Sequence, residues 1–214
     1  MKKAFLFDLN GTIIDDMEYH ISAWYQILNN LGASLSYGET RRQCYGKNHE
    51  LLERTFPGRF SEQEKNEMSL AKEKQYQSAY KSKLQLITGL DKFLKDASAL
   101  TIPMAIGSAA IMYNIDFVLD GLNIRSYFPA IVSADDVKYS KPHPETFLKC
   151  AELLKVPVEN CIVFEDSPKG VEAAANAGMQ AIVITTMHTA DEFSSFTNIH
   201  TIISNYDELK ASAI

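Results

Sequence analysis

Cysteine is scarce in this sequence. Its three residues, Cys44, Cys150 and Cys161, form no C-x-x-C pair and leave one thiol unpaired, which excludes a disulfide-stapled fold and suits a reducing compartment. Arg42 near Cys44 and Lys149 beside Cys150 could lower a thiol pKa, yet neither cysteine has a histidine neighbour, and all three read as inert packing residues. Positive charge is also short: 21 Lys and Arg face 27 Asp and Glu, for a net charge of −6 without a basic block. A chain that tracks a phosphate backbone needs the opposite sign, so nucleic acid is not an expected partner. Long apolar runs are missing as well. The run near the start, Ala4 to Phe7, ends at Asp8 and is far too short for a signal-peptide core or a membrane span. The expectation is a cytoplasmic protein with no membrane partner. Internal repeats and low-complexity segments are absent, and the 46% apolar and 22% charged composition of the 214 residues is that of a globular chain able to bury roughly 70% of its unfolded surface.

Short apolar runs recur at 4–7, 102–106, 130–132, 161–164, 181–184 and 202–203, and they read as strands buried on both faces. Between them, from residue 90 onward, lie helical spacings: Leu90, Phe93, Leu94, Ala97; Ile115, Val118, Leu119, Leu122; Phe147, Leu148, Ala151, Leu154; and Val171, Ala174, Ala175. Strand alternating with helix predicts βαβ units and hence a doubly wound parallel α/β sheet, a Rossmann-like core. The stretch from Asp15 to about Lys83 breaks the rhythm. It offers an apolar stripe of Met17, Ile21, Trp24, Ile27, Leu28 and Leu31 stopped by Gly32, and a capping box at Ser61 to Glu64. The predicted organisation is an α/β core formed by 1–14 and 85–214, with a helical cap domain, 15–84, inserted after strand one on two linkers that permit a hinge.

In an open α/β sheet, ligands bind at the carboxyl ends of the strands. The residues that follow the strands here are Asp8 to Thr12, then Gly107-Ser108, then Lys138 with Ser140-Lys-Pro142, and Glu165-Asp-Ser167. Asp8, Glu165 and Asp166 gathered at one sheet end would repel one another without a cation, and oxygen ligation suits Mg²⁺. A carboxylate at Asp8 can attack phosphorus to give an aspartyl phosphate. Ser108 offers a hydroxyl and Lys141 a fixed positive charge to the oxygens of a transferring phosphoryl group. Gly11 permits a tight turn behind Asp8, in which Thr12 can hydrogen-bond.

These four segments resemble the motifs of the haloacid dehalogenase superfamily, D-x-D-G-T, a Ser or Thr after a strand, a Lys and an acidic pair. The similarity spans nearly the whole chain, because the helical insert looks like that superfamily's type-one cap. Within it, Phe5 to Gly11, Glu18-Tyr-His20 with Ala23-Trp24, Ser140-Lys-Pro142 and Glu165-Asp-Ser167 are most similar to the β-phosphoglucomutase group. The resemblance implies Asp8 as nucleophile, Ser108 and Lys141 as phosphoryl binders, and Mg²⁺ held by Asp8, the Asn10 backbone carbonyl, Glu165 and Asp166. It also implies substrate contacts from Gly11, Thr12 and Ala109 in the core and from His20, Trp24, Gly46, Lys47, His49 and Lys74 in the cap. Trp24 equally fits cap core and Lys74 a solvated face.

Two departures stand out. The second Asp of the first motif, the family's general acid/base, is Asn10 here, and an amide exchanges no proton near neutral pH. The mutase's cap arginine aligns with His49, and its Ser-Lys-Asn aligns with Ala110-Ile111-Met112; losing these phosphate holders favours a phosphatase over a mutase. The expected function is a monomeric Mg²⁺-dependent phosphatase of a small phosphorylated metabolite, a sugar or polyol phosphate, slowed by Asn10. The alternatives are β-phosphoglucomutase itself and a catalytically impaired phosphometabolite-binding protein. A dehalogenase, which needs no Mg²⁺, fits less well with the retained acidic pair.

Overall fold

The computed structural model describes residues 3–214, so the first two residues of the segment 1–14 lie outside it. Among the described residues six strands form one parallel sheet: β1 (Ala4–Phe7), β2 (Met104–Gly107), β3 (Ala130–Val132), β4 (Cys161–Glu165), β5 (Gln180–Ile184) and β6 (Ile199–Ile203), in the order β3-β2-β1-β4-β5-β6. The helices are α1 (Met17–Asn30), α2 (Tyr37–Gln43), α3 (Asn48–Thr55), α4 (Glu62–Tyr80), α5 (Leu90–Ala99), α6 (Met112–Gly121), α7 (Glu145–Leu154) and α8 (Pro168–Asn176). This is the doubly wound α/β arrangement, in which the strand order reverses direction between β1 and β4. In open sheets of this kind ligands bind at that switch point, beyond the carboxyl ends of the two strands.

Contacts divide the chain into two compact units: one runs to Asp15 and resumes from Gln85 to Ile214, and the other is Asp16–Leu84. In the α/β unit, alternation along the strands sends Phe5 and Phe7 to one face of the sheet and Ala4 and Leu6 to the other. The first face is an aromatic cluster. Phe164 stacks on Phe7 with centroids 4.3 Å apart, meets Phe5 and Phe93 edge-on at 5.4 Å, and is covered by Tyr206. The second face buries Leu6, Val163, Phe147, Cys150, Val171 and Ala174.

The structure differs from the periodicity at several points. β2 begins at Met104 because the Ile102 N–H still bonds to Ala97 at the end of α5, and Pro103 has no N–H to donate. β6 is not buried on both faces: it is the edge strand, and its side chains alternate between half-buried and exposed. In α7 the inward stripe is Phe147, Cys150 and Ala151, with Leu148 turned to solvent, and in α8 Ala173 rather than Ala175 is buried. The thiols of Cys150 and Cys161 lie inside the core, where burial pushes them up to about 12 and about 11.

In the helical unit α1 presents Ile21, Trp24 and Leu28 inward, and Trp24 and Leu28 share a cluster with Leu51 and Leu52 of α3. Ser61 caps α4 through the Glu64 N–H, while Glu64 returns a carboxylate to the Ser61 N–H at 2.8 Å. Ser36 and Glu39 make the same reciprocal cap on α2. Burial raises the Cys44 thiol to about 12 despite the pull of Lys72 and Arg54.

Because Phe164 touches aromatic rings on β1, on α5 and at Tyr206, its truncation leaves a cavity that its neighbours cannot close. Phe164→Ala is expected to cost about 3–5 kcal/mol in urea unfolding, whereas Leu153→Ala, at a side chain 57% exposed, should stay within about 0.5 kcal/mol.

Candidate active site

Asp8 follows β1, and its N–H bonds to Phe164 O at 2.9 Å, so the neighbouring strand holds the backbone that carries it. Glu165 is the last residue of β4, and Asp166 is the next. Parallel pairing of Phe7 with Phe164 therefore brings the three carboxyls out side by side, and one oxygen from each lies within 4.8 Å of the others. All three are buried, Asp8 at 7% exposure, Glu165 at 1% and Asp166 at 5%. Into this acidic pocket the loop before α7 inserts Lys141, whose Nζ donates to Asp8 Oδ1 at 2.6 Å and to Glu165 Oε1 at 2.7 Å. The second oxygen of Glu165 accepts from the N–H groups of Asp166 and Ser167 and from the Ser167 hydroxyl.

The electrostatics follow from this packing. Burial pushes the Asp8 carboxyl up, Lys141 pulls it back and Glu165 pushes it up again, leaving it at about 7. Burial, then the charges of Glu165 and Asp8, hold Asp166 well above the usual carboxylate range. Burial disfavours the Lys141 ammonium, but Asp8 and Glu165 outweigh it and keep it charged. One fixed cation thus faces three carboxyls, a donor set of hard oxygens that suits a small divalent cation.

The turn after Asp8 is compact. Gly11 has φ +77°, and a Cβ built there would lie 2.1 Å from Asp166 Oδ2, so only glycine fits. The Ile13 N–H returns to Leu9 O at 2.8 Å, and Asn10 bridges to Ile14. The Thr12 backbone is tied into this turn, but its buried hydroxyl makes no hydrogen bond. Ser108 extends the β2 end through its N–H to Val132 O, and its hydroxyl accepts from the Ala110 N–H. Ala109, between them, is half-buried. Asp8, Asn10, Gly11, Thr12, Ser108, Ala109, Lys141, Glu165 and Asp166 all belong to the α/β unit.

The other expected residues lie in the helical unit. His20 is buried, with Nε2 3.1 Å from Asp16 Oδ2. Gly46 takes φ +72° just before Lys47 at the start of α3. His49 pairs with Glu62 at 3.2 Å. Trp24 is only 3% exposed and belongs to the apolar core of this unit, whereas Lys74 is solvated. Its near neighbour Lys72 is buried. Lys72 Nζ contacts His20 Nδ1 and Glu73, Asn48 joins Glu73 and Ser69 at 2.7 Å, and the Tyr76 hydroxyl donates to Asp16. Burial pushes the Glu73 carboxyl up, but Lys72 and His20 outweigh it and hold it below the usual range. Asp16, Asn48, Ser69, Lys72, Glu73 and Tyr76 escaped the sequence reading. Their only signal is that Ser69, Lys72 and Tyr76 share the inward stripe of α4, a pattern invisible when apolar residues alone are counted.

The buried cluster of carboxyls and one lysine lies at the switch point of a doubly wound parallel sheet. The chain belongs to the haloacid dehalogenase-like hydrolase family, whose sequence model matches residues 5–184. It is 29% identical over 177 residues to fructose-1-phosphate phosphatase YqaB of Escherichia coli, covering 83% of this chain and 93% of that protein. It is 32% identical over 188 residues to the β-phosphoglucomutase of Bacillus subtilis, covering 84% and 82%. The crystal structure of β-phosphoglucomutase from Clostridium difficile superposes with a TM-score of 0.85 at 28% identity, covering all of this chain and 95% of that one. The chain is accordingly an enzyme of this hydrolase family, with phosphatases and a phosphoglucomutase among its relatives.

A raised carboxyl has a stability consequence. With Asp8 near 7 in the folded chain and near 3.8 unfolded, the folded state binds the extra proton between these values, so this contribution to stability declines as pH rises from about 4 to 7. In chelator, Asp8→Asn is expected to be more stable than the parent by a few kcal/mol at pH 8, with the gap closing toward pH 4. Urea midpoints across that range measure it, and a gap that widens as pH falls would contradict it.

Proposed function

We propose that this chain is a Mg²⁺-dependent phosphatase of a small sugar or polyol phosphate and that it works through an aspartyl phosphate at Asp8. The observation that carries this reading is the cluster of Asp8, Glu165 and Asp166 around Lys141 Nζ. The fit to Mg²⁺ rests on a buried set of hard oxygen donors, three carboxyls facing a single lysine. Asp8, the Asn10 backbone carbonyl, Glu165 and Asp166 would hold the ion. When bound, it neutralises charge on the phosphoryl oxygens and allows the anionic substrate to approach.

In this reading an Asp8 oxygen attacks phosphorus, the ester P–O bond breaks and the substrate alkoxide leaves; water then attacks the phosphoaspartate and releases phosphate. Lys141 and Ser108 hold the phosphoryl oxygens through both steps, with the backbone at Gly11, Thr12 and Ala109 lining the turn. The helical segment 15–84 serves as the cap that closes over the substrate. His20, Gly46, Lys47, His49 and Lys74 provide its contacts, and Trp24 supports them from the core. A monomer acting in the cytoplasm accords with this chemistry.

Asn10 is the weak point. Each step needs a proton given or taken, and the amide supplies neither. The phosphatase relative supports hydrolysis. A second reading, mutase, rests on the Bacillus subtilis relative, but His49 and Ala110-Ile111-Met112 offer no counterpart to the groups that hold a second phosphate. A phosphate-release panel over sugar and polyol phosphates, run beside a coupled β-glucose 1-phosphate assay, decides between them.

Asn10→Asp is expected to raise phosphate release by about 10²–10⁴-fold with Mg²⁺ affinity nearly unchanged, since the metal contact is a backbone carbonyl. Asp8→Ala should abolish release, and EDTA should do so reversibly. Equal rates for Asn10→Asp and the parent would assign the proton work to another group, and full activity in EDTA would remove the metal from the reading.

A further inference from the structure

Three successive peptides of the turn behind Asp8 are each held by a different partner. The Asn10–Gly11 peptide is tied through the Gly11 N–H to Ile14 O at 2.7 Å, a bond internal to the turn. The next two are gripped by side chains from far along the chain. The Thr186 hydroxyl, just after β5, donates to Gly11 O at 2.6 Å, and the Tyr206 hydroxyl, just after β6, donates to Thr12 O at 2.9 Å. The hydroxyls of both residues bond to the turn rather than to the carboxyl cluster, and neither residue belongs to a motif.

Both anchors are themselves fixed. Thr185 N–H bonds to Ile203 O, extending the β5 and β6 pairing to the residue before Thr186. Tyr206 is 1% exposed, its ring lies against Phe93 and Phe164, and its N–H bonds to Thr88 O. At Gly89 the chain passes so close that an added Cβ would lie 2.5 Å from Asp207 N, which locks the segment after β6 against the start of α5. On its other side the turn meets Asp166, with the position of a Gly11 Cβ 2.1 Å from Oδ2. The Gly11 backbone is therefore a spacer between the Thr186 hydroxyl and an Asp166 oxygen. A shift of the turn away from Thr186 alters the room left for that carboxylate and the direction of the Asn10 carbonyl one peptide upstream.

We propose that Thr186 and Tyr206 are positioning residues that set the cation affinity of the site by clamping the Gly11–Thr12 turn between them and Asp166. The proposal rests on the reading of the carboxyl cluster as a Mg²⁺ site. Groups that orient metal ligands without touching the metal commonly change affinity by about 10–100-fold. A carbonyl that loses a buried donor has reason to rotate in search of another.

The test is calorimetric titration of the intact chain with Mg²⁺ alone, alongside thermal unfolding without metal. Thr186→Val keeps the shape and removes the donor, Thr186→Ser restores it, and Tyr206→Phe removes the second donor. Thr186→Val is expected to weaken Mg²⁺ binding about tenfold while Thr186→Ser stays within about twofold of the parent. Tyr206→Phe should weaken it in the same direction, and the double variant by more than either. Parent-like affinity in Thr186→Val, or equal loss in the Ser and Val variants, overturns the clamp. Should a variant unfold early, the ratio of Ser to Val affinity at a temperature where both are folded still decides. Failure of the parent itself to bind Mg²⁺ would instead sink the metal-site reading on which the clamp depends.

Discussion

Three buried carboxyls with one oxygen of each within 4.8 Å of the others, and one lysine among them, are the constraint to which the α/β unit is built. Repulsion of this kind is not tolerated by a chain free to relax, because separating the groups into water relieves it. It persists because Asp8 and Glu165 end adjacent parallel strands whose ladder fixes their backbones, and because Lys141 bridges both. Two glycines make room. A Cβ at Gly11 would strike Asp166, and one at Gly170, in the first turn of α8, would lie 1.8 Å from the Glu165 carboxyl. The aromatic cluster beneath, centred on Phe164, supplies burial that stabilises the strands carrying this load.

The helical unit repeats the arrangement with different groups. Lys72 meets Glu73 and His20, and His20 meets Asp16, so the buried charges are paired rather than left exposed to an apolar core. Asn48 donates to Glu73 as well, and its amide also donates to the Ser69 hydroxyl. Such a network specifies one arrangement of α1, α3 and α4 more sharply than apolar contacts, because each member would be costly to strand.

Much of the α/β unit was legible residue by residue. Strands buried on both faces announce themselves as short apolar runs, and the motif residues follow those runs directly, so Asp8, Ser108, Lys141, Glu165 and Asp166 could be located without coordinates. The misses have a common cause. Leu148 and Ala175 are apolar residues that fit the helical period but lie on its solvent side, and β6 is an edge that apolar composition alone cannot tell from a central strand. In the helical unit the inward stripe of α4 includes the polar Ser69 and Lys72, so counting apolar residues could not find it.

The sequence by itself determined the class of fold, the family and the identity of the groups at the strand ends, because these depend on local periodicity and on short spacings that the chain cannot alter. Asn10 as the departure from an acid/base carboxylate was likewise readable at once. Tertiary structure alone decided which distant side chains hold the turn behind Asp8: Thr186 reaching across 175 residues to Gly11 and Tyr206 across 194 to Thr12. Such pairings leave no periodic trace, since they are set by where the parallel crossovers return the chain, and that is a property of the assembled sheet rather than of any segment within it.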